Sequence, residues 1–533
     1  MVRLFNNHLF LFEMIYMIRF SKDVLWFSML LVTLSACQKK NYSNNSNTDV
    51  KTLSKNYDID RENLIKKDSL LKIDAHIGLN PAEEKAAIKY EALKQSLYAQ
   101  YKQSHNYPFS NAYYGAKEQI YGSKLYQLIH SMPKGGFLHL HPSAGLDYHW
   151  LVEQVTILPN CYVYWDAKHK EKLLGEIHFY KKENAPAGFE LGSELLKKDP
   201  QFKEKLYQLL VFDKKETEPG TDIWKEFEYR FNRINGFVGY QPIYQDVLYN
   251  IFSNAVADGI SQVELREHLA DSLYSLDHEK GYYNTDSVIH YYQLAADRIR
   301  KNFLPEFTYS LIYTNIRFLP KETIVEDIKR AYYYQSRYPT IIKGYDLVAE
   351  EDAGHTGLYY KEAYILSDSL SKVYHHKLAL ILHAGESTWE YNKNLYDAAL
   401  VHTPRVGHGI NLVYYPALME AFRKQNICVE VNPMSNQILG YMPDLRMHPA
   451  HILINNGNEI VISSDDPAIF QYTGVSLDYW SAIMAWDISF KMLKKIVENS
   501  INYSLLDTSE KTQAHNYWNK KWNEFVANIN SNY

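Results

Sequence analysis

Eight short apolar runs, each closing on polar or ionisable residues and most of them parted by helix-compatible segments, constrain this chain more than any other feature. They are Gly136 to His141, Gln262 to Arg266, Phe307 to Asn315, Ile341 to Leu347, Leu378 to Glu386, Arg405 to Asn411, Ile427 to Asn436 and Glu459 to Asp466. Short runs alternating with helical patterns read as βα units of a parallel sheet. Eight of them predict a closed TIM-type barrel, the (β/α)8 architecture of the α/β class. In that fold the C-terminal strand ends share one mouth, so the ionisable residues closing each run are expected to meet there.

The rhythm breaks once, because more than a hundred residues part the first run from the second. Residues from about Trp150 to Thr221 hold strand-like Cys161 to Trp165, Pro186-Ala187-Gly188 and a charged helical stretch near Lys197 to Leu210, which predicts an insertion after the first barrel strand. Ahead of the barrel, Pro81-Ala82-Glu83-Glu84 starts a helix, and Ala86 to Tyr98 carries apolar residues at spacings of three and four. The expected division is therefore a signal segment over 1–37, a flexible tether over 38–79 and a helical lead-in over 80–131. The first barrel strand follows over 132–149, the insertion over 150–221 and the rest of the barrel over 222–533.

The signal segment is read from Lys22, the apolar run Val24 to Leu34, and Leu34-Ser35-Ala36-Cys37, which resembles the lipobox of bacterial lipoproteins. Such a segment is removed before Cys37, whose thiol takes lipid; the run is too short for a comfortable membrane span. This predicts a lipid-anchored protein of the bacterial cell envelope. An n-region of ordinary length would begin at Met17 and not at Met1. Residues Gln38 to Asp49, rich in Asn, Ser and Lys, have too little apolar surface to pack.

Composition narrows the function. Lys plus Arg number 57 and Asp plus Glu 62, a formal charge of −5 that offers no basic field for a phosphate backbone, so nucleic acid is not expected as a partner. The three cysteines, Cys37, Cys161 and Cys428, have no metal-site or redox spacing and build no disulfide framework.

Alternation along a strand points both imidazoles of His139-Leu140-His141 to one side, where they can share a metal. At the same mouth, His383-Ala384-Gly385-Glu386, Gly407-His408-Gly409 and Ser464-Asp465-Asp466-Pro467 bring further ionisable groups, costly to bury without partners. Three neutral imidazoles and one carboxylate, from His139, His141, His383 and Asp465, suit one borderline-soft divalent ion with a position left for water; zinc is the natural choice. Many barrels of this kind hold two metals bridged by a carboxylated lysine on the fourth strand. Here that strand ends in Gly344-Tyr345-Asp346-Leu347 with Lys343 set back, so one metal is expected.

These residues belong to an ordered set that resembles the adenosine deaminases, in particular their secreted, growth-factor-related branch. The set includes Met132 to Gly136 before His139, Trp224 to Glu228, Val263-Glu264-Leu265-Arg266, Gly344 to Val348, Asp352 to His355, His383 to Glu386, Asn394 to Ala398, Arg405 to Gly409, Glu430 to Asn436 and Ser463 to Phe470. The resemblance implies zinc-dependent hydrolysis of adenosine or 2′-deoxyadenosine to the inosine product and ammonia. In it, Glu386 protonates purine N1, while Asp466 and His408 orient the attacking oxygen. The blander alternatives are a core histidine at His408 and a metal ligand or ion-pair partner at Glu386. Asp346 supports the site by pairing with a neighbouring His or Arg. In that branch the helical lead-in supports a homodimer.

Three positions depart from the pattern. Pro142-Ser143 stands where the branch carries an Asp, with Ser143 offering a hydroxyl to the substrate, and Ala349-Glu350 replaces Gly-His at the purine's edge. Trp224 matches a tryptophan packed near the sugar; a buried structural Trp is the alternative. These changes leave open a modified purine, or another amide-like substrate of the same barrel. The pattern of cytidine-deaminase-type enzymes is absent.

Overall fold

The computed structural model describes residues 50–111, 113–166, 173–270 and 272–533. The signal segment, its Cys37 and the tether as far as Asp49 lie outside the described residues. The chain divides into two compact units, 1–67 and 68–533. Within the expected tether, Val50–Leu71 is a helix, exposed over residues 54–71. That stretch has no Gly or Pro and four each of Lys and Leu, which favour a helix. The tether ends by Ile73, which is buried and donates its N–H to Ile454 O at 3.1 Å.

The eight expected strands form. They are Gly135–Leu140, Ile260–Glu267, Thr308–Ile316, Ile342–Val348, a fifth split into Ala379–Leu380 and His383–Ala384, then Arg405–His408, Cys428–Val431 and Ile460–Ile462. All pair in parallel and in chain order. The fifth strand joins the halves, Ala379 pairing with Gly344 and His383 with Gly407. A bridge between Leu140 and Asp465 closes the ring, His141 N–H donating to Asp465 O and Asp465 N–H to His139 O, both at 3.2 Å. A TIM-type barrel is thus complete. The seventh run is shorter than expected: Pro433, which cannot donate to a ladder, ends the strand, and Pro433–Ile438 turns into a short helix.

Charged pairs cross the barrel interior. Arg266 on the second strand donates to Glu430 on the seventh, and Arg405 on the sixth donates to Glu264 on the second. These strands are not ladder neighbours, so the pairs can meet only inside the ring. At the foot of the first strand, a Cβ on Gly136 would lie 2.7 Å from both Ser500 O and Gln262 Oε1, which accounts for glycine there.

The lead-in helix Pro81–Ser104 is capped by Asn80 in a reciprocal box with Glu83. Glu83 also accepts from Trp522 Nε1 at 2.8 Å on the last helix, Thr508–Asn532, so the lead-in is a wall of the barrel body. The insertion begins at the helix Tyr148–Ile157, two residues ahead of the expected boundary. It contains an antiparallel sheet of Cys161–Tyr164 between Ile177–Phe179 and Phe189–Leu191. The single charged helix expected near Lys197 to Leu210 is two, Gly192–Lys198 and Phe202–Leu210, because Pro200 between them lacks an N–H. Packing holds the insertion: Phe179 stacks on Tyr240 at 3.8 Å, and Arg233 donates to Leu174 O at 2.8 Å. Cys161 is buried and free.

Candidate metal centre

The barrel strands bring the ionisable residues of the mouth together, and two buried carboxylates set the imidazoles. His139 Nδ1 lies 2.9 Å from Glu430 Oε2. His383 Nδ1 lies 2.7 Å from Asp346 Oδ2, while the His383 N–H donates to Asp346 Oδ1 at 2.8 Å. Against the cost of burial, Arg266 and Arg405 hold the Glu430 carboxyl well below the usual range. His383 and Arg266, again opposing burial, do the same for Asp346. An ionised carboxylate only accepts, so both rings carry a proton on Nδ1 and turn a bare Nε2 inward, as metal-binding histidines do. The expected supporting role of Asp346 is therefore visible in its partners.

The donor atoms of His139, His383, His408 and Asp465 lie within 4.8 Å of one another, and so do those of His141, Asp465 and Asp466. Asp465 belongs to both groups. Its Oδ1 is 3.0 Å from His139 Nε2 and 3.2 Å from His141 Nε2. Three of the four expected ligands, His139, His383 and Asp465, thus share one group with His408, whose ring centroid is 4.9 Å from His139 and 5.0 Å from His383, while His141 meets that group at Asp465. His139 Nε2, His408 Nε2 and Asp465 Oδ1 are buried without a hydrogen bond. The lone pairs of His139 Nε2 and Asp465 Oδ1, orphaned around one point, would be costly in a dry interior, and a divalent cation relieves that cost. Burial pushes the His141 imidazole down to about 4, which keeps it neutral and able to ligate.

Around this cluster the backbone is held tightly. His408 and Asp465 sit at φ of 67° and 66°, unusual for residues with side chains and in keeping with a functional site. A Cβ on Gly407 would come within 3.0 Å of His139 Cε1, so a bare backbone leaves room for that ring. Glu386 and Asp466 are buried beside the donors. Burial, then the nearby Asp465 carboxylate, pushes both carboxyls well above their ordinary range, with Glu351 adding to the effect on Glu386. Their surroundings thus favour the acid form of both beside Asp465, whose carboxyl the neighbouring imidazoles pull down in spite of burial.

Two residues that hold the site in place, Glu351 and Ser435, escaped the sequence reading. Glu351 accepts from Gly385 N–H at 3.1 Å and Glu386 N–H at 2.7 Å, fixing the backbone that presents Glu386. Ser435 Oγ donates to Asp465 Oδ2 at 2.9 Å. The available signals were the acidic pair Glu351-Asp352 just past the fourth strand and the polar residues after Pro433.

At the rim, Trp224 is half-buried and donates Nε1 to the Tyr441 hydroxyl at 3.1 Å. Ser143 lies half-buried in the turn Pro142–Ala144. Ala349 adopts φ 78°, a conformation that glycine takes at less cost. Glu350 is half-buried, and its carboxyl is pushed up by burial and by Asp352, Asp222 and Glu228.

Comparison with known proteins bears on this arrangement. The family described as "Adenosine deaminase" matches residues 202–518, and that described as "Adenosine/AMP deaminase N-terminal" matches residues 25–129. The chain is 31% identical over 493 residues to adenosine deaminase 2 of Dictyostelium discoideum, covering 92% of this chain and 90% of that protein. It is 30% identical to adenosine deaminase 2 of Homo sapiens, covering 88% and 93%. Among solved structures it is similar to Arabidopsis ADAL complexed with IMP, with a TM-score of 0.55 and 15% identity over 75% of this chain and 99% of that one. It is also similar to an adenine deaminase from Arthrobacter aurescens, with a TM-score of 0.51 and 16% identity over 74% and 99%. At such identities the structural likeness speaks for the fold alone.

Proposed function

The chain belongs to the adenosine deaminase family, and we propose that it catalyses zinc-dependent hydrolytic deamination of adenosine or 2′-deoxyadenosine to the inosine product and ammonia. The observation that carries this reading is the set of orphaned buried atoms on His139, His408 and Asp465 beside those of Glu386 and Asp466. His139, His141, His383 and Asp465 would hold one zinc. A divalent ion there supplies the Lewis acidity that makes water a nucleophile near neutral pH. Glu386, kept in its acid form, donates a proton to purine N1, so that C6 accepts the attacking oxygen as aromaticity is lost. Asp466 and His408 orient that oxygen and offset the charge it carries in the transition state. Trp224, Ser143 and Ala349, with Asp466, line the substrate's side of the mouth.

The test is the fall in ultraviolet absorbance as adenosine becomes inosine, run alongside metal analysis of the purified protein. About one zinc per chain is expected. Protein that binds no transition metal, or turns over no purine, would remove the proposal.

One observation favours a second reading. Glu350, gathered with Asp352, Asp222 and Glu228, changes the charge at the purine's edge and suits a modified purine bearing extra hydrogen-bond donors. A panel of nucleosides, bases and nucleotides at equal concentration separates the two, because turnover confined to a modified purine would replace the first reading.

We further propose that Cys37 carries lipid, which tethers the enzyme to the bacterial cell envelope, and that the enzyme is a homodimer. Support for the anchor comes from Leu34-Ser35-Ala36-Cys37. Among the described residues no helix is long and apolar enough to cross a membrane. Cys37→Ala should release the full chain from the membrane fraction, and retention of the variant there would count against the anchor.

A further inference from the structure

Behind His408 runs a chain of hydrogen bonds whose direction a backbone amide decides. The Ala450 N–H donates to His448 Nδ1 at 3.1 Å. A main-chain N–H can only donate, so Nδ1 accepts and the proton of the neutral ring sits on Nε2. His448 is buried, and burial pushes its pKa down to about 3, so the ring is neutral at any working pH. His448 Nε2 faces Asn436 Oδ1 at 3.1 Å. That N–H requires the amide's oxygen, which decides how Asn436 is turned. Asn436 Nδ2 therefore points at His408 Nδ1, 3.1 Å away, and it too can only donate. Asn432 Nδ2 approaches the same ring nitrogen at 3.3 Å. Glu386 Oε1 is a third neighbour, 3.4 Å from that nitrogen and in no hydrogen bond.

With Nδ1 accepting, the His408 proton is left on Nε2. That atom has no hydrogen-bond partner among the described residues and faces the cluster, 3.8 Å from Asp465 Oδ2. We propose that His448 is a positioning residue that, through Asn436, keeps the proton of His408 on Nε2, so that His408 meets the reacting oxygen as a hydrogen-bond donor and not as its base. His448 is itself held in place. Its N–H donates to Leu445 O at 3.1 Å, and its ring lies 5.2 Å from that of Trp486, which donates to the same Leu445 carbonyl at 2.8 Å. The inference rests on the deaminase reading only for the identity of the reacting oxygen.

Neutron diffraction of the deuterium-exchanged, zinc-loaded protein reads the arrangement directly. Deuterons are expected on Nε2 of both His448 and His408, with none on His408 Nδ1; a deuteron on His408 Nδ1 overturns the proposal. Kinetics supply the second measurement. His448→Phe keeps a ring beside Trp486 but has no donor for Asn436. Its kcat is expected to fall on the order of 10- to 100-fold, with KM and zinc content nearly unchanged. His448→Gln, whose amide can donate to Asn436, should recover most of that loss. Asn436→Asp, which can only accept when ionised, should cost more than His448→Phe by drawing the His408 proton to Nδ1. Wild-type kcat in His448→Phe would remove the positioning role. If that variant does not fold, Asn436→Asp and the neutron map still decide. Absence of any purine turnover in the wild type would count against the deaminase reading, while the map would report the His408 proton regardless.

Discussion

At the scale of single residues, Glu386 shows how surroundings give a common side chain an uncommon task. Its carboxyl is buried and faces the ionised Asp465, so the acid form persists well above the ordinary range. If it is the proton donor, activity needs the protonated state, which is present below its raised pKa and lost as pH rises through it. A basic limb in the kcat profile is the expected result. Glu386→Gln should keep zinc and lose turnover by about 10²-fold or more, measured by nucleoside assay beside metal analysis. Gly407 makes a second case: a methyl group there would press on His139, so Gly407→Ala should lower zinc affinity by roughly tenfold while circular dichroism stays unchanged. His139, His141, His383, Glu386, His408, Asp465 and Asp466 were legible because each closes an apolar run. Glu351 was not, since its role is to accept from backbone amides of a loop that nothing in its own segment reveals.

At the scale of elements, the barrel strands are set by period and length, but their ends answer to neighbours. The fifth strand is split where it passes from one partner to the next, and the seventh stops at Pro433. Inside the ring, Glu430 accepts from His139, Arg266 and Arg405, tying the first, second, sixth and seventh strands together. Removing one partner from a buried ion pair typically costs about 3–5 kcal/mol, because the charge left behind has no solvent. Glu430→Gln is therefore expected to lower the denaturant midpoint markedly and to weaken zinc binding through His139. A midpoint equal to that of wild type would show that the network contributes nothing to stability.

At the scale of the whole molecule, segments distant in sequence close one body. Asp258 gathers three of them: it lies 2.9 Å from His130 Nδ1 and 3.5 Å from Lys134 Nζ, and it accepts from the Val475 and Ser476 amides at 2.7 and 3.0 Å. Burial opposes the charge, but Lys134 and these hydrogen bonds prevail and hold its carboxyl below the ordinary range. The sign follows from linkage. A folded pKa below the unfolded value of about 4 gives stabilisation that is complete above that value and is lost as pH falls through the folded one. Thermal unfolding followed from pH 7 downward should show this loss. Asp258→Asn should be less stable at neutral pH and show a flatter dependence on pH below about 4. A pH dependence identical to wild type would refute the assignment.

The order of apolar runs and the residues that close them determined the barrel, the place of the insertion and which ionisable residues meet at the mouth, because strand order and strand ends follow from local periodicity. Only the tertiary structure decided which carboxylate orients which imidazole, which way Asn436 is turned, and that the lead-in is part of the barrel wall. Those outcomes depend on atoms brought within hydrogen-bond reach from different elements, 12 to 439 residues apart in sequence, and no periodicity inside one segment encodes such a meeting.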